Sequence, residues 1–111
     1  MRRIEKDTIH KALLQRKIVE MFGAEVQKEY RFSPDRQWKA DYYIPSLNLI
    51  IEYEGIFGLA PSRHTQIKGY CDDCIKYNAA VALGYRMLRY TMATYTKFES
   101  DIETLKKHLT K

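Results

Sequence analysis

The spacing of hydrophobic side chains along this chain switches repeatedly between a helical and a strand period. From Ile4 to Phe22 the apolar positions Ile4, Ile9, Leu13, Leu14, Ile18, Val19 and Phe22 follow mostly helical spacing, and Gly23 is a natural stop. Ala24 to Phe32 (AEVQKEYRF) alternates as a first strand, and SPDRQ then makes a turn. WKADYYI and LNLIIEYE read as the two strands of a hairpin around Pro45-Ser46. The glycine- and proline-containing stretch IFGLAPSRHTQ reads as a loop over the acidic end of the sheet. From about Thr65 to Leu83 a second helix is expected. Its residues Ile67, Tyr70, Cys71, Cys74, Tyr77, Asn78, Val81 and Ala82 share one broad side, and Gly84 caps it. YRMLRYT is a fourth strand. A closing helix, capped by Thr96 or Ser100, turns Ile102, Leu105 and Leu109 inward.

The order is α-β-β-β-α-β-α, which predicts one α/β domain over residues 1–111. A hairpin followed by a helix and a strand makes a mixed sheet, because the helical crossover lets the last strand pair in parallel with a strand of the hairpin. Helices then cover the faces of the sheet. The length suits one domain with a sizeable core.

Charge adds a partner class. The net charge of +5 and pI near 9.2 favour an acidic partner, nucleic acid first. No run approaches a membrane span, and the basic amino terminus continues into a stretch too charged for a secretory signal. With two cysteines and no signal, a reducing cytoplasm is the expected compartment.

The candidate chemistry lies in the hairpin, where apolar residues surround Asp41, Glu52 and Glu54. Alternation along a strand points Glu52 and Glu54 to the same side, and Asp41 can lie beside them from the partner strand. Carboxylates gathered on a hydrophobic hairpin repel one another and resist desolvation, and a bound divalent cation is the usual remedy. Two other signals are weaker. Cys71-Asp-Asp-Cys74 is a CxxC inside a helix with no second ligand pair, so buried or half-buried thiols are the better reading than zinc or redox chemistry. Asp35 sits in a polar turn, whereas Asp41 lies inside the strand. Asp72 and Asp73 read as a solvated helix face, with indirect support of a metal as the alternative. His10 and His108 look incidental.

The chain resembles the PD-(D/E)XK nucleases, closest in flavour to small very-short-patch-repair-like and phage-type endonucleases. The resemblance is carried by RFSPDRQWKADYYIP, IIEYEG, SRHT, CDDCIKYNAAVALGY and RMLRYT, which together span Glu29 to Thr91. It implies a restriction-endonuclease-like core that hydrolyses phosphodiester bonds in DNA with Mg²⁺ or Mn²⁺. Asp41 and Glu52 would hold the metal, with the Tyr53 carbonyl adding a ligand. Glu54 stands where the family usually has a lysine, and would ligate a metal or act as general base. The cation must then come from elsewhere: Lys39, Arg63, Lys68 or Lys76, of which Lys76 fits the resemblance best. His64 would hydrogen-bond a phosphate or act as general acid or base; a surface histidine at a helix start is the competing reading. Glu5 and Glu20 are candidates for the extra helical acid of many relatives.

Basic residues including Arg36, Lys39, Arg63 and Lys68 would supply affinity that weakens with salt. With no separate reader module, cutting would be structure-directed or loosely selective, and a homodimer would place two sites on two strands. No organic cofactor and no membrane are expected. The rival class is a nucleic-acid-binding module on the same fold that does no chemistry, supported by the missing lysine; a metal-binding structural domain of a larger complex is a third.

Overall fold

The computed structural model describes the backbone of residues 3–55 and 63–109, and the side chains of residues 6–55 and 67–109. The elements follow the expected order: α1 (Arg3–Phe22), β1 (Gln27–Arg31), β2 (Lys39–Ile44), β3 (Leu49–Tyr53), α2 (Arg63–Ala82), β4 (Arg86–Tyr90) and α3 (Phe98–Leu109). The four strands form one mixed sheet in the order β1-β2-β3-β4. The first three are antiparallel neighbours. β4, reached through α2, lies parallel to β3 with Glu52 opposite Arg89. Among the described residues, no helix is long and apolar enough to cross a membrane.

The turns are set by left-handed residues. Gly23, at φ 61°, ends α1 and leads into a 3-10 turn, Gly23–Glu25, where the first strand had been expected to begin. The hairpin connection is also longer than expected. Pro45–Leu47 forms a 3-10 turn and Asn48 follows at φ 48°. Asparagine tolerates this conformation, and here its side chain is used at both ends. Its Oδ1 accepts from Tyr43 Oη at 2.7 Å and its Nδ2 donates to the Gly84 carbonyl at 2.9 Å, tying the hairpin to the entry of β4.

Side chains divide into two clusters on the two faces of the sheet. Leu14, Ile18, Tyr42, Ile44, Leu49, Ile51, Tyr53, Tyr90, Tyr95, Phe98 and Ile102 pack together beneath α1 and α3. On the α2 face the buried set is Phe32, Ala40, Ile50 and Ala80, rimmed by half-buried Tyr30, Trp38, Tyr43, Tyr85 and Met87. Two expectations are corrected here. Leu109 is 40% exposed, and Phe98 takes the buried place at the other end of α3. In α2 most of the expected inner side faces outward: Ile67, Tyr70 and Val81 are all more than half exposed. Tyr77 is buried as expected, together with Ala80, which was not on that side. The small Ala80 lets α2 come close to the sheet, while the larger aliphatic side chains project from the other side.

Candidate active site

The site lies where the two central strands part. β2 and β3 pair from Ile44↔Leu49 to Tyr42↔Ile51. Beyond that point Asp41 Oδ2 accepts the Tyr53 backbone N–H at 2.8 Å, so a carboxylate stands where the ladder would have continued. The same residue interrupts the other side of β2. β1 and β2 pair at Lys28↔Tyr42 and at Tyr30↔Ala40, but not at the intervening Glu29 and Asp41. Glu29 is left-handed at φ 52°, a conformation that costs a non-glycine residue about 1 kcal/mol. Strain of this kind accumulates at functional sites.

Glu52, the last inward residue of β3, is 5% exposed. Its Oε1 lies 3.0 Å from Lys76 Nζ, within ion-pair distance. The same ammonium, which has three donors, also donates to the Lys39 carbonyl at 2.9 Å. Glu52 Oε1 is buried, and this ion pair with Lys76 is its compensation. Burial first, and the neighbouring Asp41 charge second, push the Glu52 carboxyl up to about 7, against the partial relief that Lys76 supplies. Asp41 has its own cation, with Lys11 Nζ of α1 3.6 Å from Oδ1.

Glu54 leaves the sheet on the same side but is held by different groups. It accepts hydrogen bonds from Tyr77 Oη and from Arg89 Nε, the latter at 3.1 Å. The Arg89 guanidinium lies 3.7 Å from the centre of the Tyr77 ring. Burial and the Glu54 carboxylate raise the Tyr77 phenol far above its ordinary range, so it stays a donor. On the opposite face Tyr53 Oη donates to the buried Asp7 of α1 at 2.9 Å. One residue thus braces two elements, since its N–H fixes Asp41 and its hydroxyl fixes α1.

Of the residues expected at a site, the structure brings together Asp41, Glu52, Tyr53 and Lys76, with Glu54 alongside on its own partners. The three acids do not converge on one point: among the described residues no group of three Asp, Glu, His or Cys side chains is placed to hold a metal together. Lys39 contributes its carbonyl. Lys68 is paired with Asp72 at 2.9 Å on the exposed side of α2, and Arg36 stacks over Trp38. Arg63 and His64 open α2, and their side chains lie outside the described residues. Glu20 pairs with Arg16 on the surface, and the Glu5 side chain lies outside the described residues; Asp7 is the helical acid that reaches the sheet. Cys71 is exposed and Cys74 half-buried, both as free thiols. Ser33 Oγ accepts the Asp35 and Arg36 N–H groups, which fixes Asp35 in its turn, away from the carboxylate pair.

Tyr77 and Asp7 are not singled out by the sequence as site members, and Lys11 and Arg89 are expected only as basic surface residues facing nucleic acid. Lys11 could be seen only as one of several basic residues on α1. Arg89 meets Glu54 only once the parallel β3–β4 register is known.

The donor set suits a hard divalent cation. A buried carboxylate beside a second carboxylate offers the oxygen ligands that Mg²⁺ or Mn²⁺ prefers, and such an ion would relieve the repulsion between them. Asp41 and Glu52 are the residues that would hold it. Comparisons with protein-family models, with curated proteins and with solved structures find no match, so the functional reading stands on these residues alone.

Proposed function

We propose that this chain is a metal-dependent endonuclease hydrolysing phosphodiester bonds in DNA, on a restriction-endonuclease-like core of the PD-(D/E)XK type. The observation that carries the reading is the Asp41–Glu52 pair at the parting of β2 and β3, with the buried Glu52 carboxylate 3.0 Å from the Lys76 ammonium. A divalent cation, when bound, supplies Lewis-acid polarisation of the phosphate and of the attacking water. The side chains supply the rest. Lys76 takes the part of the family's lysine from a different element. Anchored by the Lys39 carbonyl, it presents a positive charge beside Glu52, where negative charge develops on the phosphoryl oxygens. Glu54 already accepts from Tyr77 and Arg89, and taking up a proton would weaken both bonds. We assign it to holding Arg89, whose side chain is 44% exposed, toward the sugar-phosphate backbone. Lys11 approaches Asp41 from α1 and places a second cation on the other flank. The net charge of +5 favours approach to a polyanion.

The test is cleavage of a panel of single-stranded, duplex, flap and four-way-junction DNA, with an RNA strand alongside, in Mg²⁺, Mn²⁺ and EDTA. Wild type cuts with metal, and Glu52→Gln does not. Binding to the panel without cutting in either metal would overturn the enzyme and leave a nucleic-acid-binding module.

A further inference from the structure

Beside the carboxylate pair, on the α2 face, lies a groove of about 320 Å³ lined by Arg36, Trp38, Asp72 and Ile75. It is at the small end of ligand pockets, with room for one base and its sugar but not for a duplex. Its walls are built, not incidental. Trp38 is half-buried and stacked at 19° on the buried Phe32, which fixes the ring. The turn before it is locked by Ser33, whose hydroxyl accepts two backbone N–H groups, and by Arg31 Nε, which donates to the Arg36 carbonyl at 3.2 Å. That turn puts the Arg36 guanidinium 4.9 Å from the centre of the Trp38 ring. On the other wall Ile75 is 53% exposed. Asp72 completes the groove with a carboxylate, one oxygen of which is tied to Lys68.

The groove is adjacent to the chemistry by construction. Trp38 directly precedes Lys39, and Ile75 directly precedes Lys76. The Lys76–Lys39 contact beside Glu52 thus joins the residues that directly follow two of the groove's lining side chains.

We propose that this groove is a base subsite: it takes up the base of an unpaired nucleotide in the strand whose phosphate meets Asp41 and Glu52. An aromatic ring and a guanidinium plane are the surfaces on which any base stacks, and Asp72 can accept a hydrogen bond from a base N–H group, thymine N3–H included. A base in a closed duplex cannot enter, so the subsite selects frayed, flapped or single-stranded DNA. The proposal deepens the nuclease reading and takes from it only the place of the scissile phosphate.

Trp38 is the chain's only tryptophan, so the test has its own reporter. Titrate the protein in EDTA with an oligothymidylate, with an abasic oligonucleotide of equal charge and with a closed duplex, following Trp38 fluorescence. Follow binding of the same labelled strands by anisotropy. The oligothymidylate is expected to quench Trp38, while the abasic strand and the duplex leave it within error. Trp38→Ala is expected to weaken single-strand binding about tenfold and duplex binding less than twofold. Ile75→Glu changes an exposed side chain, keeps the fluorophore and abolishes the quenching, which guards against a misfolded Trp38 variant. Equal quenching by the abasic strand or the duplex, or none by the oligothymidylate, overturns the subsite. Quenching without cleavage in Mg²⁺ would sink the nuclease and spare the subsite; cleavage without quenching would do the reverse.

Discussion

On the α1/α3 face of the sheet, Leu14, Ile18, Ile44, Leu49, Ile51, Phe98 and Ile102 are all sealed from solvent, and its polar tips are paired, Tyr53 with Asp7 and Tyr90 with Asp101. On the α2 face, the fully sealed residues Ala40, Ile50 and Ala80 are few and mostly small, the aromatic rim is half open, and a charged side chain, Glu52, is buried among them in an ion pair with Lys76. The first face follows the ordinary rules of a core: apolar volume, close packing and satisfied polar groups. The second breaks them within reach of Asp41, Glu52 and Lys76. Two faces of one four-stranded sheet therefore divide the work, one holding the fold and the other giving up stability for a charged site.

The largest expected effect breaks the first face. Phe98→Ala should lower unfolding free energy by about 3–5 kcal/mol, because its ring is fully buried between α3 and Tyr90. Trp38→Ala on the second face should cost roughly 1–2 kcal/mol, since half-buried side chains lose less. Urea titrations of the two variants measure the contrast, and equal losses would remove it.

The next effect is on pH dependence. Folding raises the Glu52 carboxyl from 4.5 to about 7, so the native state binds the proton more tightly than the unfolded chain does. Its contribution is fully present below 4.5 and is lost as pH rises through about 7. The loss is about 3 kcal/mol at most. Metal-free wild type should therefore weaken across that window. Glu52→Gln should flatten the slope, and chemical denaturation at pH 5 and pH 8 checks it.

The smallest effect concerns the kink that lets β2 part from its neighbours. Glu29→Gly relieves the left-handed strain and should change stability by no more than about 1 kcal/mol, toward stabilisation. Thermal melting measures it, and a large loss would show that the Glu29 side chain does more than occupy the kink.

The comparison also shows what the sequence could and could not yield. Element order and the parallel β4 were legible because they rest on local period and on the geometry of a crossover. The acids Asp41 and Glu52 were legible because charge inside a hydrophobic hairpin is conspicuous. The buried side of α2 was legible only at Tyr77, because that helix is apolar on more than one side: Ile67, Tyr70 and Val81 point to one stripe, yet the sheet took the one that carries the small Ala80. The partners of the acids were not legible either. Lys11–Asp41, Arg89–Glu54 and Tyr53–Asp7 each join distant segments, and only strand register and helix placement bring them together.

The most direct test of the central claim is one thermal-melting experiment at pH 8 on wild type and Glu52→Gln, in EDTA and in Mn²⁺. In EDTA the variant should melt above wild type, because it removes a buried charge. With Mn²⁺ at about a hundred times its dissociation constant, wild type should gain about 2.7 kcal/mol and overtake the variant, which should gain little. A variant that melts lower in EDTA, or gains as much from Mn²⁺ as wild type does, would contradict the assignment of Glu52 as the buried, metal-holding acid.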